Sequence, residues 1–131
     1  LLLDFDLSLE PMPTEQEVEA FLKAFHERMR IWDVVFRDDR TKNLESLGSM
    51  GIVPNIRKDV LQSLAVADFS EGPMKDSLNR GPDLWVFGKE VKEHNVYIKV
   101  TLGMIKEGPV LCISFHPAAH PMEFPFKRAT S

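Results

Sequence analysis

Three segments with the composition of β-strands follow one another closely in the second half of the chain. They cover residues 84–91, 95–102 and 110–116, and only residues 92–94 and 103–109 separate them. Connections this short return the chain beside the strand it has just left, so consecutive strands pair antiparallel. The sequence therefore predicts a small antiparallel sheet whose one face is covered by the rest of the chain.

The middle segment shows which face is covered. Its even-numbered residues from 96 to 102 are apolar, whereas Asn95, Tyr97, Lys99 and Thr101 are polar. Because successive side chains on a strand point to opposite faces, the polar set is predicted to lie away from the core. Near-symmetric connections predict these neighbours: Tyr97 with Ser114, Asn95 with His116, Lys99 with Cys112, Lys89 with Tyr97, and Phe87 with Lys99. This register gathers the following side chains on one surface: Lys89, Tyr97, Lys99, Ser114 and His116.

The first half of the chain is predicted to be mainly helical. Thr14 and Glu17 form a capping box, and apolar residues at helical spacing continue from it for about 16 residues. Two shorter helices are predicted, one over residues 43–50 and one that opens at Pro54. Together with the sheet, these helices predict an α+β fold.

The segments between these elements are short. Val34–Phe36 consists of β-branched and aromatic residues and is predicted to form a short strand. The charged residues 37–40 are predicted to form a solvent-facing turn. Residues 68–83 contain two Gly-Pro pairs, which predict an irregular loop leading into the sheet. The proline-rich end from residue 117 onward is predicted to run over the surface.

Composition limits the classes of function. The chain has 131 residues, 44% of them hydrophobic, so we expect one domain over residues 1–131 with flexible ends at 1–12 and 127–131. Its formal charge of -4 gives no general attraction for nucleic acid or anionic membranes, so any RNA site must be a local patch. The single cysteine, Cys112, excludes an internal disulfide. No apolar run approaches the roughly 18 residues of a membrane span. We expect a cytoplasmic protein without a membrane partner.

Two histidines, His116 and His120, lie four residues apart, each directly before a proline. Imidazoles at this spacing share one side of a helix, but the prolines disfavour a helix here, so we expect no metal site and no cofactor. Cys112 lies in mid-strand, and Ser114 lacks the glycines of a nucleophile elbow. The sequence thus offers none of the usual hydrolase patterns.

Several motifs, in their order along the chain, resemble the MqsR-like toxins of bacterial toxin–antitoxin pairs. They are FRDDR at 36–40, the segment 61–69, DLWVFG at 83–88, VYIK at 96–99 and CISFH at 112–116. Residues 114–127 also resemble the ending SFHxAxHPxxYPFK of one branch, with Phe124 at the Tyr position. The resemblance runs from Phe21 to Phe126. It implies a RelE-like toxin in which N-terminal helices pack on one face of a small C-terminal antiparallel sheet and the other face cuts mRNA.

The resemblance also implies a reaction and partners. In that family RNA cleavage looks metal-free: a base removes the proton of a ribose 2'-OH, whose oxygen then attacks the adjacent phosphate. Here His116 is expected to be the general acid or base, Tyr97 to orient or donate to the phosphate, and Lys99 to supply positive charge. The expected RNA-binding residues are Lys75, Arg80, Trp85, Phe87 and Lys89. The expected partners are a cognate antitoxin and mRNA, free or on the ribosome.

The chain departs from the better-known branch at three positions, and two other functions stay open. His116 replaces a lysine, Val86 a glutamine and Glu71 a lysine. These departures fit a catalytically inactive RelE-like module that binds an antitoxin or RNA. A metal-dependent enzyme that uses His116, His120 and Glu123 is the other alternative. For Trp85 and Phe87, packing competes with stacking on RNA bases.

Overall fold

The computed structural model of the protein describes residues 12–38 and 41–128. Within these ranges the chain forms three α-helices and five strands, with one turn of 3-10 helix at Val66–Asp68. In chain order they are α1 (Glu15–Trp32), β1 (Val34–Phe36), α2 (Thr41–Met50), α3 (Ile56–Ser63), β2 (Phe69–Met74), β3 (Leu84–Val91), β4 (His94–Thr101) and β5 (Val110–Pro117). The predicted α+β class is confirmed.

The five strands form one open sheet in the order β1-β5-β4-β3-β2. Strands β3, β4 and β5 pair antiparallel, as their short connections predicted. β1, however, lies parallel to β5, with Val34 beside Val110, so the prediction of a wholly antiparallel sheet is wrong. The parallel pair is possible because two helices and three strands separate β1 from β5 and supply the long connection that parallel pairing needs.

Strand β2 replaces the first part of the predicted loop over residues 68–83. Phe69–Met74 pairs antiparallel with β3, with irregularities on both sides of Glu71. Pro73 is tolerated because β2 is an edge strand, where one side of the backbone has no neighbour to bond. Gly72 has φ +121, and a Cβ there would lie 2.9 Å from the carbonyl oxygen of Leu84. The Gly-Pro pair therefore marks an irregular edge strand and not a turn.

Helix α1 covers one face of the sheet. The predicted capping box is present: the amide of Glu17 donates to Oγ1 of Thr14 at 3.1 Å, and the amide of Thr14 donates to Oε1 of Glu17 at 2.9 Å. The ring of Phe21 stacks on Trp85 at 4.6 Å and on Phe87 at 6.1 Å between centroids. The helix buries one stripe of apolar residues: Val18, Phe21, Leu22, Phe25 and Met29. Side chains of β3 that point to α1 therefore belong to the core.

The predicted helices α2 and α3 are present, and α3 is fixed by a buried ion pair. The guanidinium of Arg57 donates to both oxygens of Asp38, at 2.8 and 3.1 Å, and lies 3.9 Å from the centre of the Phe36 ring. Asp38 thus joins the end of β1 to α3. The rest of the predicted charged turn, residues 39–40, lies outside the described residues. No described helix is both long and apolar enough to span a bilayer.

Strand β5 contains a bulge that changes the predicted register. Lys99 pairs with Ser114 but Val100 pairs with Cys112, which leaves Ile113 as the extra residue. Buried Asn43 of α2 holds it there: Nδ2 donates to the carbonyl of Ile113 at 3.1 Å, and Oδ1 accepts from the amide of Phe115 at 3.4 Å. The amide side chain thus takes the place of a neighbouring strand beyond the end of β1.

The three predicted pairs across β4 and β5 are wrong by two residues, of which the bulge accounts for one and the connection between the strands for the other. Tyr97 lies opposite His116 and Lys99 opposite Ser114. Across β3 and β4, Gly88 lies opposite Tyr97. Although the predicted partners differ, Tyr97, Lys99, Ser114 and His116 do share one face.

The chain end, residues 118–128, crosses the face away from α1; we refer to it as the C-terminal strap. The ring of Phe124 lies over Gly88, where a Cβ would come within 2.7 Å of it. Phe126 then stacks on Phe69 at 5.6 Å. The guanidinium of Arg128 donates to Oε1 of Glu15 at 3.1 Å, so the strap returns to the start of α1. Of the ends predicted to be flexible, residues 1–11 and 129–131 lie outside the described residues.

Candidate active site on the open face of the sheet

The sheet face opposite α1 carries the candidate site, and we call it the open face. Between this face and the strap lies a groove of about 1060 Å³. That volume slightly exceeds the range of ~300–1,000 Å³ that is usual for small-molecule pockets. The polar side chains lining it are Asn43, Ser70, Glu71, Tyr97, Lys99, Ser114, His116, His120 and Glu123.

Tyr97 and His116 form the centre of the groove floor. They lie opposite each other on β4 and β5, and their rings stack with centroids 5.2 Å apart and planes 13° from parallel. Nδ1 of His116 lies 2.9 Å from the carbonyl oxygen of Pro117. A carbonyl only accepts, so this bond requires the proton on Nδ1 and makes Nε2 the nitrogen that gains or loses a proton. The backbone thus restrains the orientation of the His116 ring in the groove.

Lys99 supplies positive charge beside this pair. Its Nζ lies 5.9 Å from the centre of the Tyr97 ring. Lys99 belongs to the row of residues that runs across the strands from Glu71 through Val86 to Ser114. The ammonium and the phenol therefore serve the same part of the groove, where a bound phosphate could contact both.

The phenol of Tyr97 has a raised pKa. Burial is the main cause, because it disfavours the phenolate, and the negative charge of Glu71 adds to it. Its ordinary pKa of 10.0 already lies well above neutral pH. The hydroxyl consequently keeps its proton and can donate a hydrogen bond to an anionic oxygen.

Glu71 is a groove residue that is not among the predicted site residues. It lines the groove in the same row as Lys99, although it lies on the strand that was predicted to be a loop. Among the described residues, none forms a hydrogen bond or an ion pair with its carboxylate. Alternation could not have found it, because Phe69 pairs with Phe87 and Glu71 with the next residue, Val86, so a register shift places them on opposite faces. The available signal was the resemblance, which aligned Glu71 with a lysine of the better-known branch.

Three residues predicted to bind RNA lie on the helix-facing side of β3. Phe87 is completely buried, and Trp85 stacks on Phe21. Nζ of Lys89 forms an ion pair with Oδ2 of Asp68 at 2.9 Å. Lys89 was predicted to lie beside Tyr97, and Phe87 beside Lys99, on one surface. Both predictions are wrong, because β3 is shifted by one residue from the predicted register.

The remaining predicted residues, Lys75 and Arg80, are exposed in the connection between β2 and β3. Lys75 lines an adjoining groove that shares Ser70 and Glu71 with the main one, whereas Arg80 lines neither. Lys75 can therefore reach a ligand that extends past β2.

His120 of the strap also lines the main groove. In the described part of the chain, no three His, Cys, Asp or Glu side chains cluster as ligands for a metal ion. His116 and His120 thus present two imidazoles to the groove without a third ligand of these types.

Comparisons of the chain with models of protein families, with curated proteins and with solved structures found no match. What the structure itself defines is an α+β protein with an open mixed sheet, one face of which is covered by a helix while the other carries a groove with titratable residues.

Proposed function

We propose that the protein is the toxin of a bacterial toxin–antitoxin pair, a metal-independent endoribonuclease of RelE-like fold that cleaves mRNA. The stacked Tyr97–His116 pair with Lys99 beside it carries the proposal. The motifs shared with MqsR-like toxins support it, because Tyr97 and Lys99 belong to the VYIK motif and His116 ends CISFH. The cognate antitoxin and mRNA are the proposed partners, and the cytoplasm is the proposed location.

In the proposed reaction, a base takes the proton of a ribose 2'-OH and the 2'-oxygen forms a bond to the adjacent phosphorus. The bond from phosphorus to the 5'-oxygen breaks, and an acid protonates that leaving oxygen. The products are a 2',3'-cyclic phosphate and a 5'-hydroxyl. His116 transfers one of these protons, since histidine is the side chain that most often acts as general acid or base in enzymes.

The other two residues stabilise the charge that builds up on the phosphate. The neutral phenol of Tyr97 donates a hydrogen bond to a non-bridging oxygen, and the ammonium of Lys99 attracts the same oxygens. Preorganised donors of this kind typically contribute on the order of 10²–10³ in rate each. No bound metal is required for the balance of atoms or protons in this scheme.

The charge of the chain affects how RNA would reach the site. A net charge of -4 gives no long-range attraction for a polyanion, and the groove contains Glu71 and Glu123 as well as Lys99. Local contacts must then supply the affinity, or another body must present the RNA. We accordingly favour mRNA held on the ribosome as the substrate.

The test is to induce the protein in a bacterial host, follow growth and map new RNA 5' ends. Wild-type protein should arrest growth and create ends at a recurring short sequence. His116→Ala should abolish both effects, whereas His94→Ala, the same change at an exposed position of β4 outside the groove, should retain them. Normal growth with an unchanged RNA profile at good expression of the wild type would contradict the nuclease and favour an inactive binding module.

A further inference from the structure

A carboxylate, that of Glu71, lines the same groove as His116. We propose that Glu71 is the general base that takes the proton of the 2'-OH and that His116 is the general acid for the 5'-oxygen. This inference rests on the proposed function and assigns the two proton transfers that the reaction requires. His116 alone cannot perform both at the same instant, because one proton is removed on one side of the phosphorus and one is added on the other.

The order of the strands places the two groups on opposite sides of the charge-stabilising pair. Glu71 is on β2 and His116 on β5, while Tyr97 and Lys99 are on β4 between them. The backbones of β2 and β5 are separated by three strand spacings of roughly 4.8 Å each, and the side chains of Glu71 and His116 span part of that distance. The space left over suits one phosphate that has its attacking oxygen near Glu71 and its leaving oxygen near His116.

The carboxylate of Glu71 is available for this task. Other carboxylates of the described chain are held by cations: Asp38 by Arg57, Asp33 by Lys58, Asp68 by Lys89 and Glu15 by Arg128. Glu71 has no such partner among the described residues, yet its charge contributes to the raised pKa of Tyr97. An unpaired carboxylate that lines the groove close to the phenol can accept a proton from a hydroxyl bound there.

The groove contains one other carboxylate, Glu123, and one other imidazole, His120, both on the strap. Glu71, in contrast, lies on a strand in register with Val86 and through it with Lys99. Sites built on strands hold their geometry better than sites on irregular segments. Glu71 is therefore the better placed of these two carboxylates to act as the base. Matched controls lie outside the groove: Glu107 and His94 are exposed, and neither lines it.

The proton balance of the step is simple. Glu71 as carboxylate accepts the 2'-OH proton while the oxygen–phosphorus bond forms, and His116 as imidazolium gives its Nε2 proton to the 5'-oxygen while that bond breaks. Glu71 then carries a proton and His116 lacks one. Exchange with water restores both groups after the product leaves.

A substrate with sulfur in place of the 5'-oxygen separates the two roles, because a thiolate leaves without being protonated. The RNA is one containing the sequence mapped in the growth experiment, assayed with and without ribosomes. With the normal RNA, Glu71→Gln and His116→Ala should each slow cleavage on the order of 10²–10⁴-fold. With the 5'-thio RNA, His116→Ala should cleave at close to the wild-type rate, whereas Glu71→Gln should remain slow.

The controls and contrary outcomes are distinct. Glu107→Gln and His94→Ala, which change exposed residues outside the groove, should cleave both RNAs at rates close to those of the wild type, and melting curves should show that all four variants fold. If the wild type cleaves and Glu71→Gln stays within threefold of it, the assignment of Glu71 is overturned while the nuclease stands. If Glu71→Gln cleaves the 5'-thio RNA at close to the wild-type rate and His116→Ala does not, the two roles are reversed, and the assignment of Glu71 as base is again overturned. If the wild type cleaves neither RNA under either condition, the proposed function itself fails.

Discussion

The rings of Tyr97 and His116 lie almost parallel, with their centroids 5.2 Å apart, on directly opposed positions of β4 and β5. The stack restrains the plane of the imidazole, and the bond from Nδ1 to the carbonyl of Pro117 restrains its rotation. Neither contact uses the hydroxyl of Tyr97. The structure therefore separates a positioning role of the ring from a chemical role of the phenol.

Tyr97→Phe keeps the ring and removes only the hydroxyl. If the phenol donates to the phosphate, this variant should cleave RNA on the order of 10²-fold more slowly than the wild type. Its free energy of unfolding should change by less than about 1 kcal/mol, since no described group bonds to the hydroxyl. Single-turnover cleavage and urea unfolding measure the two effects. A Tyr97→Phe enzyme as fast as the wild type would restrict Tyr97 to a positioning role, which Tyr97→Leu should then reveal.

Asn43→Ala should destabilise the protein and impair the site. The side chain donates to the carbonyls of Arg37 and Ile113 and accepts from the amide of Phe115, all close to the bulge that sets the register of His116. Leaving such buried groups unpaired costs ~1–3 kcal/mol, and the bulge loses its support. Urea unfolding measures the cost, and cleavage at a temperature where the variant is folded measures the effect on the site.

Ser49→Ala is the matched control for that change. The Ser49 hydroxyl also bonds a carbonyl, that of Ser46, but at an exposed position of the same helix. Its removal should change the free energy of unfolding by no more than ~0.5 kcal/mol and leave cleavage unchanged. Equal stability losses in Asn43→Ala and Ser49→Ala would mean that the buried amide does not support the bulge.

Local sequence signals predicted the helices and strands of this fold better than they predicted how the strands pair. The capping box at Thr14 and the alternation from Val96 to Val100 each depend on neighbouring residues, so the sequence alone predicts them, and both are confirmed. At the end of β4 the alternation fails, because Thr101 is buried. The strand Phe69–Met74 was missed because a Gly-Pro pair is compatible with both a turn and an irregular edge strand. Only the position of the segment beside β3 decides between them.

The candidate site was predicted in part for the same reason. Tyr97, Lys99 and His116 share a face because the alternation within each strand fixes it, apart from the bulge. The faces of Phe87 and Lys89 depend on a one-residue register across the hairpin, which the length of the connection did not specify. The bulge at Ile113 depends on Asn43, which is distant in sequence, and no local sequence pattern predicts a contact of this kind.

Asp38→Ala should destabilise the protein strongly. The guanidinium of Arg57 is 6% exposed, so removal of its carboxylate partner leaves a buried charge uncompensated. Breaking a buried pair in this way costs ~3–5 kcal/mol, and the partial exposure of Asp38 places the expected value near the lower end. Lys58→Ala, which breaks the exposed pair with Asp33, is the control and should cost no more than ~1 kcal/mol. Urea unfolding of both variants should show this difference, and similar losses would contradict the buried role of Arg57.

Gly88→Ala should displace the strap. A methyl group at this position would lie 2.7 Å from the Phe124 ring, which is closer than such atoms can approach, so the ring must move or the sheet must distort. Overpacking of this kind typically costs ~1–3 kcal/mol. Phe124→Leu should cost little in combination, because a smaller side chain makes room for the methyl group. A double-mutant cycle by urea unfolding tests the contact, and strictly additive losses would show that Phe124 does not lie over Gly88 in solution.

The thiol of Cys112 should make stability fall at alkaline pH. Burial raises its pKa from 9.0 to about 12, so the unfolded chain loses this proton at a lower pH than the folded protein does. Below the unfolded pKa both states keep the proton and stability is unaffected; between the two values the folded state binds more protons, and the free energy of unfolding decreases with pH. From about pH 8 to about pH 10 the thiol should account for a loss of about 1 kcal/mol. Unfolding curves of wild type and Cys112→Ala across this range check the sign: the wild type should lose this additional stability, and parallel pH dependences would show that the thiol is accessible to water.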